Sequence, residues 1–194
     1  RLANNPSIIG ARLYKKKGDA LKEKAMFEQS AAAYDEARKI LELLVEEAEK
    51  NVVPKGENQV PVGSSSSSLP ATNEIEKEMI KKKTFNLNIL LEEIFRARSY
   101  LEIVRGNFRS AKNNLLSAKK LVKKKIHQEK LVKDSQHRVI LDLSVAENNL
   151  LEGRIAGEIE LEFDKAEKNV KDASKIFELF YRRADHPKIA ASID

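Results

Sequence analysis

Apolar residues recur along most of this chain at alternating steps of three and four, the period that lines them up on one stripe of an α-helix. Three segments carry that stripe in one register. Phe27, Ser30, Tyr34, Ala37 and Leu41 form the first, and Phe108, Ala111, Leu115, Ala118 and Val122 the second. Phe163, Ala166, Val170, Ala173 and Phe177 form the third. Each reads aromatic, small, large, alanine, large. Small residues on such a stripe let a neighbouring helix approach, and the large ones fill the space on either side. The first two segments begin just after a small residue, Ala25 or Gly106, that suits a turn folding the preceding helix back antiparallel.

The remaining periodic stretches also read as helices. Thr72 or Asn73 can cap a long helix reaching about Val104, with Leu90, Ile94, Ala97, Leu101 and Val104 on one stripe. Asp134 or Ser135 can cap a fifth helix, with Val139, Leu143, Ala146 and Leu150 on its buried side and Gly153 and Gly157 at its end. His186-Pro187 closes the last helix near Arg183, because the residue before proline avoids the helical region. One tract breaks the pattern, with Pro54, Gly56, Pro61, Gly63, Ser64 to Ser68 and Pro70; it reads as a flexible loop and as a candidate for phosphorylation. The expected organisation is all-α, about six antiparallel helices stacked as three helical hairpins. Residues 1–51 form the first hairpin, 52–73 the loop, 74–185 two further hairpins packed with the first as one domain, and 186–194 a tail. A heptad-like stripe also suits a coiled coil or a plain bundle, but its breaks at Ala25, Gly106 and Gly153 suit hairpins better than one rod.

The stretch Tyr14-Lys-Lys-Lys-Gly18-Asp-Ala-Leu21, followed by Ala25-Met-Phe27, Ser30, Tyr34 and Ala37, resembles one tetratricopeptide repeat. Gly106-Asn-Phe108 with Ala111 and Ala118 resembles the second half of another, and Ala166 with Ala173 a third. The segments start 81 and then 55 residues apart, against the family's 34, so the helices are overlong. Ser99 and Glu102 stand where the family prefers Gly and Tyr, and the proline that usually ends the second helix is missing from all three. The resemblance implies a non-catalytic scaffold whose stacked hairpins leave a groove for a peptide or helix of a partner protein. It also implies that Arg12, Lys15, Asp19 and Lys22, on the first helix, face that ligand. Some members of the family grip the C-terminal carboxylate of chaperones with a Lys and an Asn four positions later. Here Lys15 is followed by Asp19, with Tyr100 at the second Asn position, so no binding of chaperone tails is expected. Lys17-Gly18 to Ala37 is similar also to the microtubule-interacting-and-trafficking domain, which would imply a partner in membrane remodelling or autophagy.

Composition narrows the chemistry. With no cysteine there is no disulfide framework or thiolate metal site. No Ser-centred elbow, phosphate-cradling Gly loop or paired-His motif occurs, so no catalytic residue, metal site or cofactor is assigned. His127, His137 and His186 read as surface residues, and Asp134, Ser135 and His137 as a helix start rather than a nucleophile and base. No apolar run approaches the roughly 18–20 residues that span a bilayer, and the chain reads as cytoplasmic or nuclear. It starts at Arg1 rather than Met, as a fragment or processed product would.

The net charge of +6 permits an acidic partner without demanding one. From Arg105 to Lys133 there are ten Lys or Arg against one acid, Glu129, and Lys112, Lys119, Lys123 and Lys130 share one helical face. That face is a candidate for RNA or another polyanion in a ribonucleoprotein, though it lacks interleaved exposed aromatics for bases to stack on. Acids cluster elsewhere, at Glu42 to Glu49 and Glu158 to Glu162, where they are able to neutralise the basic helices within the fold.

Overall fold

Three turns of one kind organise the chain. The computed structural model describes residues 6–50, 70–129 and 135–181. Among them the chain is all-α: α1 Ile8–Glu23, α2 Phe27–Lys50, α3 Pro70–Val104, α4 Phe108–Glu129, α5 Ser135–Ile155 and α6 Phe163–Tyr181. Ser7 caps α1, its Oγ accepting from the Gly10 amide at 3.1 Å. After α1 the chain enters the left-handed region at Ala25 (φ 56°), where the Ala25 and Met26 amides bond the Lys22 and Leu21 carbonyls. After α3 the same pair of bonds forms at Gly106 (φ 76°), from the Gly106 and Asn107 amides to Ile103 and Glu102. Both are Schellman closures, which satisfy the last carbonyls and send the chain back on itself. The third turn uses Leu161 (φ 58°).

The hairpins α1/α2, α3/α4 and α5/α6 stack side by side, with α2 against α3 and α4 against α5. Arg105 near the end of α3 pairs with Glu28 at the start of α2, and Arg98 with Asp35 at 3.5 Å, so α2 and α3 run antiparallel. Tyr34, Ala37, Leu41, Leu87, Ile94 and Leu101 pack the first core between α1, α2 and α3. Ile103, Ala111, Leu115, Leu151 and Ile155 join α3, α4 and α5, and Ala146, Ala173 and Phe177 join α5 to α6. One alanine of each stripe, Ala37, Ala111 and Ala173, sits in these cores.

Several expectations shift. Gly153 and Gly157 do not end α5, which continues as a π-helical stretch, Ala156–Glu160, before Leu161 turns the chain. A Cβ on Gly153 would stand 3.1 Å from Val170 Cγ2 and 3.2 Å from the Ala166 carbonyl, so the glycine is there to let α6 close in. The long helix α3 starts at Pro70 rather than after Thr72, as proline's fixed φ and missing donor suit a first helical turn. Val139 and Val104 are exposed, because α5 and α3 are gripped from several sides and bury Leu141 and Ile103 instead. The leading aromatic is buried only partly in the first stripe and emerges further in the next two, Phe108 being 42% and Phe163 68% exposed. The serine run, Lys130, His186 and the tail 186–194 lie outside the described residues.

Candidate binding groove

Overlaying the turns gives the correspondence between hairpins. Ala25, Gly106 and Leu161 coincide, so α1 maps onto α3 by adding 81. From α3 to α5 the shift is 54, because the π-helical stretch holds one extra residue before the turn. Asp19, Tyr100 and Arg154 therefore occupy one position in three successive helices. Lys15, Arg96 and Leu150 occupy another, one turn earlier, and Arg12, Glu93 and Glu147 a third.

Seven of these nine, all but Arg12 and Asp19, line a common groove of about 800 Å³, open to solvent, formed mainly by the first helix of each hairpin. Lys15 and Lys22 come from α1; Glu93, Arg96, Ala97 and Tyr100 from α3. Glu147, Leu150, Leu151, Gly153 and Arg154 come from α5, followed by Gly157 and Glu158, with Val170 of α6 behind them. The steps of three and four within each set explain why they share a face.

Of the four residues expected to face a partner, Lys15 and Lys22 line this groove. Arg12 is exposed outside its lining. Asp19 turns inward: its Oδ1 accepts from the Tyr34 hydroxyl at 2.6 Å and its Oδ2 from Lys15 Nζ at 3.2 Å. Burial, reinforced by Asp19, pushes the Tyr34 phenol well above its ordinary pKa, so it stays a donor.

Charges alternate across the groove. Lys15 lies 4.0 Å from Glu93, and Arg96 bridges Glu92 at 2.7 Å and Glu147. Glu92 is wholly buried beneath Arg96 and accepts from Asn148 Nδ2 at 2.8 Å, while its second oxygen has no hydrogen-bond partner. Burial raises the Glu92 carboxyl above the usual range, against the opposing pull of Arg96 and Asn148. At the other end, Lys22 Nζ lies 5.0 Å and Arg154 Cζ 4.9 Å from the centroid of the Tyr100 ring.

The basic face of α4 is in part spent on the fold. Lys112 pairs with Glu160 and Lys119 with Glu152, both across to α5 and its extension, and the neighbouring Lys124 reaches Glu49 of α2 at 3.2 Å. Lys123 is exposed. The two acidic clusters thus meet the basic helix as neighbours. His137 is not a plain surface residue, for its half-buried ring stacks on Phe85 at 3.8 Å, whereas His127 is exposed.

Sequence reading placed Tyr100 in the register but did not name Arg96, Leu150 or Arg154 as groove residues. Adding 81 to Lys15 points to Arg96 from the sequence alone, but the 55-residue step to the third stripe points one residue past Leu150 and Arg154, because the extra π-helical residue has no sequence signal. No helix among the described residues is long and apolar enough to cross a membrane. Compared with family models, curated proteins and solved structures, the chain matches none.

Proposed function

We propose that the chain is a non-catalytic protein-binding scaffold of tetratricopeptide-like hairpins, working in the cytoplasm or nucleus, that receives a segment of a partner protein in the groove. The observation that carries this reading is the groove itself: about 800 Å³ of open space on the first helices of three hairpins, with an apolar side at Ala97, Leu150, Leu151 and Val170. Stacked hairpins create such a surface as a consequence of their geometry, and extended or helical segments are what it fits. The equal closures at Ala25 and Gly106 support the repeat reading. The alternative, an RNA-binding subunit using α4, has less support, because Lys112 and Lys119 already hold carboxylates.

Hydrogen exchange on the chain with captured partners tests the reading. Partners retained after nuclease should protect α1, α3 and α5 along the groove, and Leu150→Asp should release them. Partners lost to nuclease, or protection centred on α4, would move the assignment to the basic face.

A further inference from the structure

The face that α3 turns toward the first hairpin is Leu90, Ile94, Arg98, Leu101 and Arg105. Its three apolar residues are buried in the first core with Ala31 and Leu41 of α2. Its two arginines, seven residues apart, meet Asp35 and Glu28 of α2. Counting back 81 residues gives Ile9, Leu13, Lys17, Ala20 and Lys24, on α1 and just past its end. The order is the same: apolar, apolar, base, apolar, base. Steps of four, four, three and four keep all five on one side of the helix. That side is separate from Lys15 and Lys22 in the groove, and from Ala11 and Gly18 against α2. On α1 the face is open. Ile9 is 67% and Leu13 57% exposed, where their counterparts Leu90 and Ile94 are buried. Lys17 and Lys24 hold no ion pair among the described residues, and neither do Arg12 and Lys16 on the border of the face. The last helix differs: α6 pairs its own charges, Lys171 with Glu167 and Lys175 with Asp172 at 3.4 Å, as suits the polar end of a helical stack.

We propose that this face of α1 docks an acidic amphipathic helix of a partner protein, laid antiparallel to α1 as α2 lies on α3. The docked helix carries two carboxylates seven residues apart, the first over Lys24 and the second over Lys17. A small residue stands between them and a large apolar one beyond the second, over Leu13 and Ile9, as Ala31 and Leu41 stand on α2. The surface is distinct from the groove, so the proposal does not depend on the groove reading. A second copy of this chain fits worse. In a head-to-tail stack, the α6 residues equivalent to Glu28 and Asp35, 81 and then 55 further on, are Asp164 and Lys171, so a base would face Lys17. Two α1 faces set against each other would oppose Arg12, Lys16, Lys17 and Lys24 to their own kind. A bilayer also fits worse, because Ile9 and Leu13 are the only large apolar side chains the face has to insert.

The test selects a displayed library of amphipathic helical peptides, as long as α2, on the folded chain and titrates remade peptides by fluorescence anisotropy. Selected peptides should carry Asp or Glu seven residues apart. They should lose binding to Leu13→Glu and keep it to Leu150→Asp, whose site lies in the groove. Lys17→Glu/Lys24→Glu, checked for helicity, should weaken binding about tenfold, the scale of two surface ion pairs turned to repulsion. Peptides remade with Lys at both acidic positions should recover that factor on the reversed variant. Helices that need Leu13 but carry no paired acids, or that the reversed charges do not rescue, overturn the acidic occupant. Failure to select any peptide dependent on Leu13 overturns the docking face, and leaves the groove reading to its own test. A dimer in sedimentation that Leu13→Glu dissolves would assign the face to a second copy. Pelleting with phosphatidylserine vesicles that the same change abolishes would assign it to a membrane. Either result overturns the proposal.

Discussion

The Ser30 hydroxyl donates to the Gly18 carbonyl at 2.8 Å, pinning α2 to α1 where the two helices come closest. In the next hairpin the same two positions carry Ser99 and Ala111, and the bond is reversed: the Ser99 hydroxyl donates to the Ala111 carbonyl, also at 2.8 Å. Either way the contact needs a small residue facing a hydroxyl, and the two solutions are equivalent. In the third hairpin Gly153 faces the Ala166 carbonyl with no hydroxyl between them. Close approach is thus the shared requirement, and the hydrogen bond an addition to it.

Gly18 is the strictest of these positions. A Cβ there would lie 2.6 Å from Tyr34 Cε1, inside a ring held by Asp19 and buried on every side. Gly18→Ala should lower stability by about 1–3 kcal/mol through overpacking, in denaturant titrations followed by circular dichroism. Ser30→Ala should cost only about 1 kcal/mol. A Gly18→Ala chain as stable as wild type would show that α1 is free to slide away from α2.

The left-handed turns give a prediction of opposite sign. Ala25 and Leu161 hold positive φ values that cost an L-residue roughly 1–2 kcal/mol, whereas Gly106 holds its own without that cost. Ala25→Gly and Leu161→Gly should each raise stability by up to about 1 kcal/mol, after the added chain entropy of glycine, and Gly106→Ala should lower it by a similar amount. Thermal melts of the three variants decide it. A loss on Leu161→Gly would mean that its exposed side chain makes a stabilising contact.

Glu92 should make stability depend on pH. Its carboxyl is raised by burial, so the folded chain keeps that proton to higher pH than the unfolded chain does. Above the ordinary value of 4.5 the folded state therefore binds more protons, and this group's contribution falls as pH rises through its folded pKa. Glu92→Gln keeps the shape and supplies its own donor, and Arg96 retains Glu147. The difference between wild type and Glu92→Gln, measured by denaturant unfolding across acid to neutral pH, should tilt toward the variant as pH rises. An unchanging difference would mean that Arg96 fully compensates the buried charge.

What was legible in the sequence was periodic. The stripes at Phe27, Phe108 and Phe163 expose one register, and Ala25 and Gly106 mark turns through their size and place. Features set between helices were not periodic and did not show: the reversed Ser30 and Ser99 bonds, the burial of Glu92, and the meeting of Lys22, Tyr100 and Arg154. Gly153 was misread because a glycine that ends a helix and one that admits a neighbour look alike until the neighbour is placed. The leading aromatics emerge from the core because a stripe says which face is apolar, not how far along it the partner helix reaches.

The extra residue in the third hairpin yields a final prediction. From Gly18 to Ser30 and from Ser99 to Ala111 the separation is 12 residues. From Gly153 to Ala166 it is one more, although the contact is the same. The Glu162 amide accordingly reaches back six residues, to the Ala156 carbonyl, where Met26 and Asn107 reach back five. A π-helical turn takes up one residue without rotating the helix on either side. Deleting Glu158 should convert Ala156–Glu160 to α-helix and leave α6 seated, changing stability by no more than about 1 kcal/mol. Deleting Arg98 from α3, where no spare residue exists, should turn one half of the helix by a 100° step and unpack the core on Leu101. Circular dichroism melts of both chains test the contrast. Unfolding of the Glu158 deletion would show that the π turn is required by the packing of α6 rather than being an accommodated insertion.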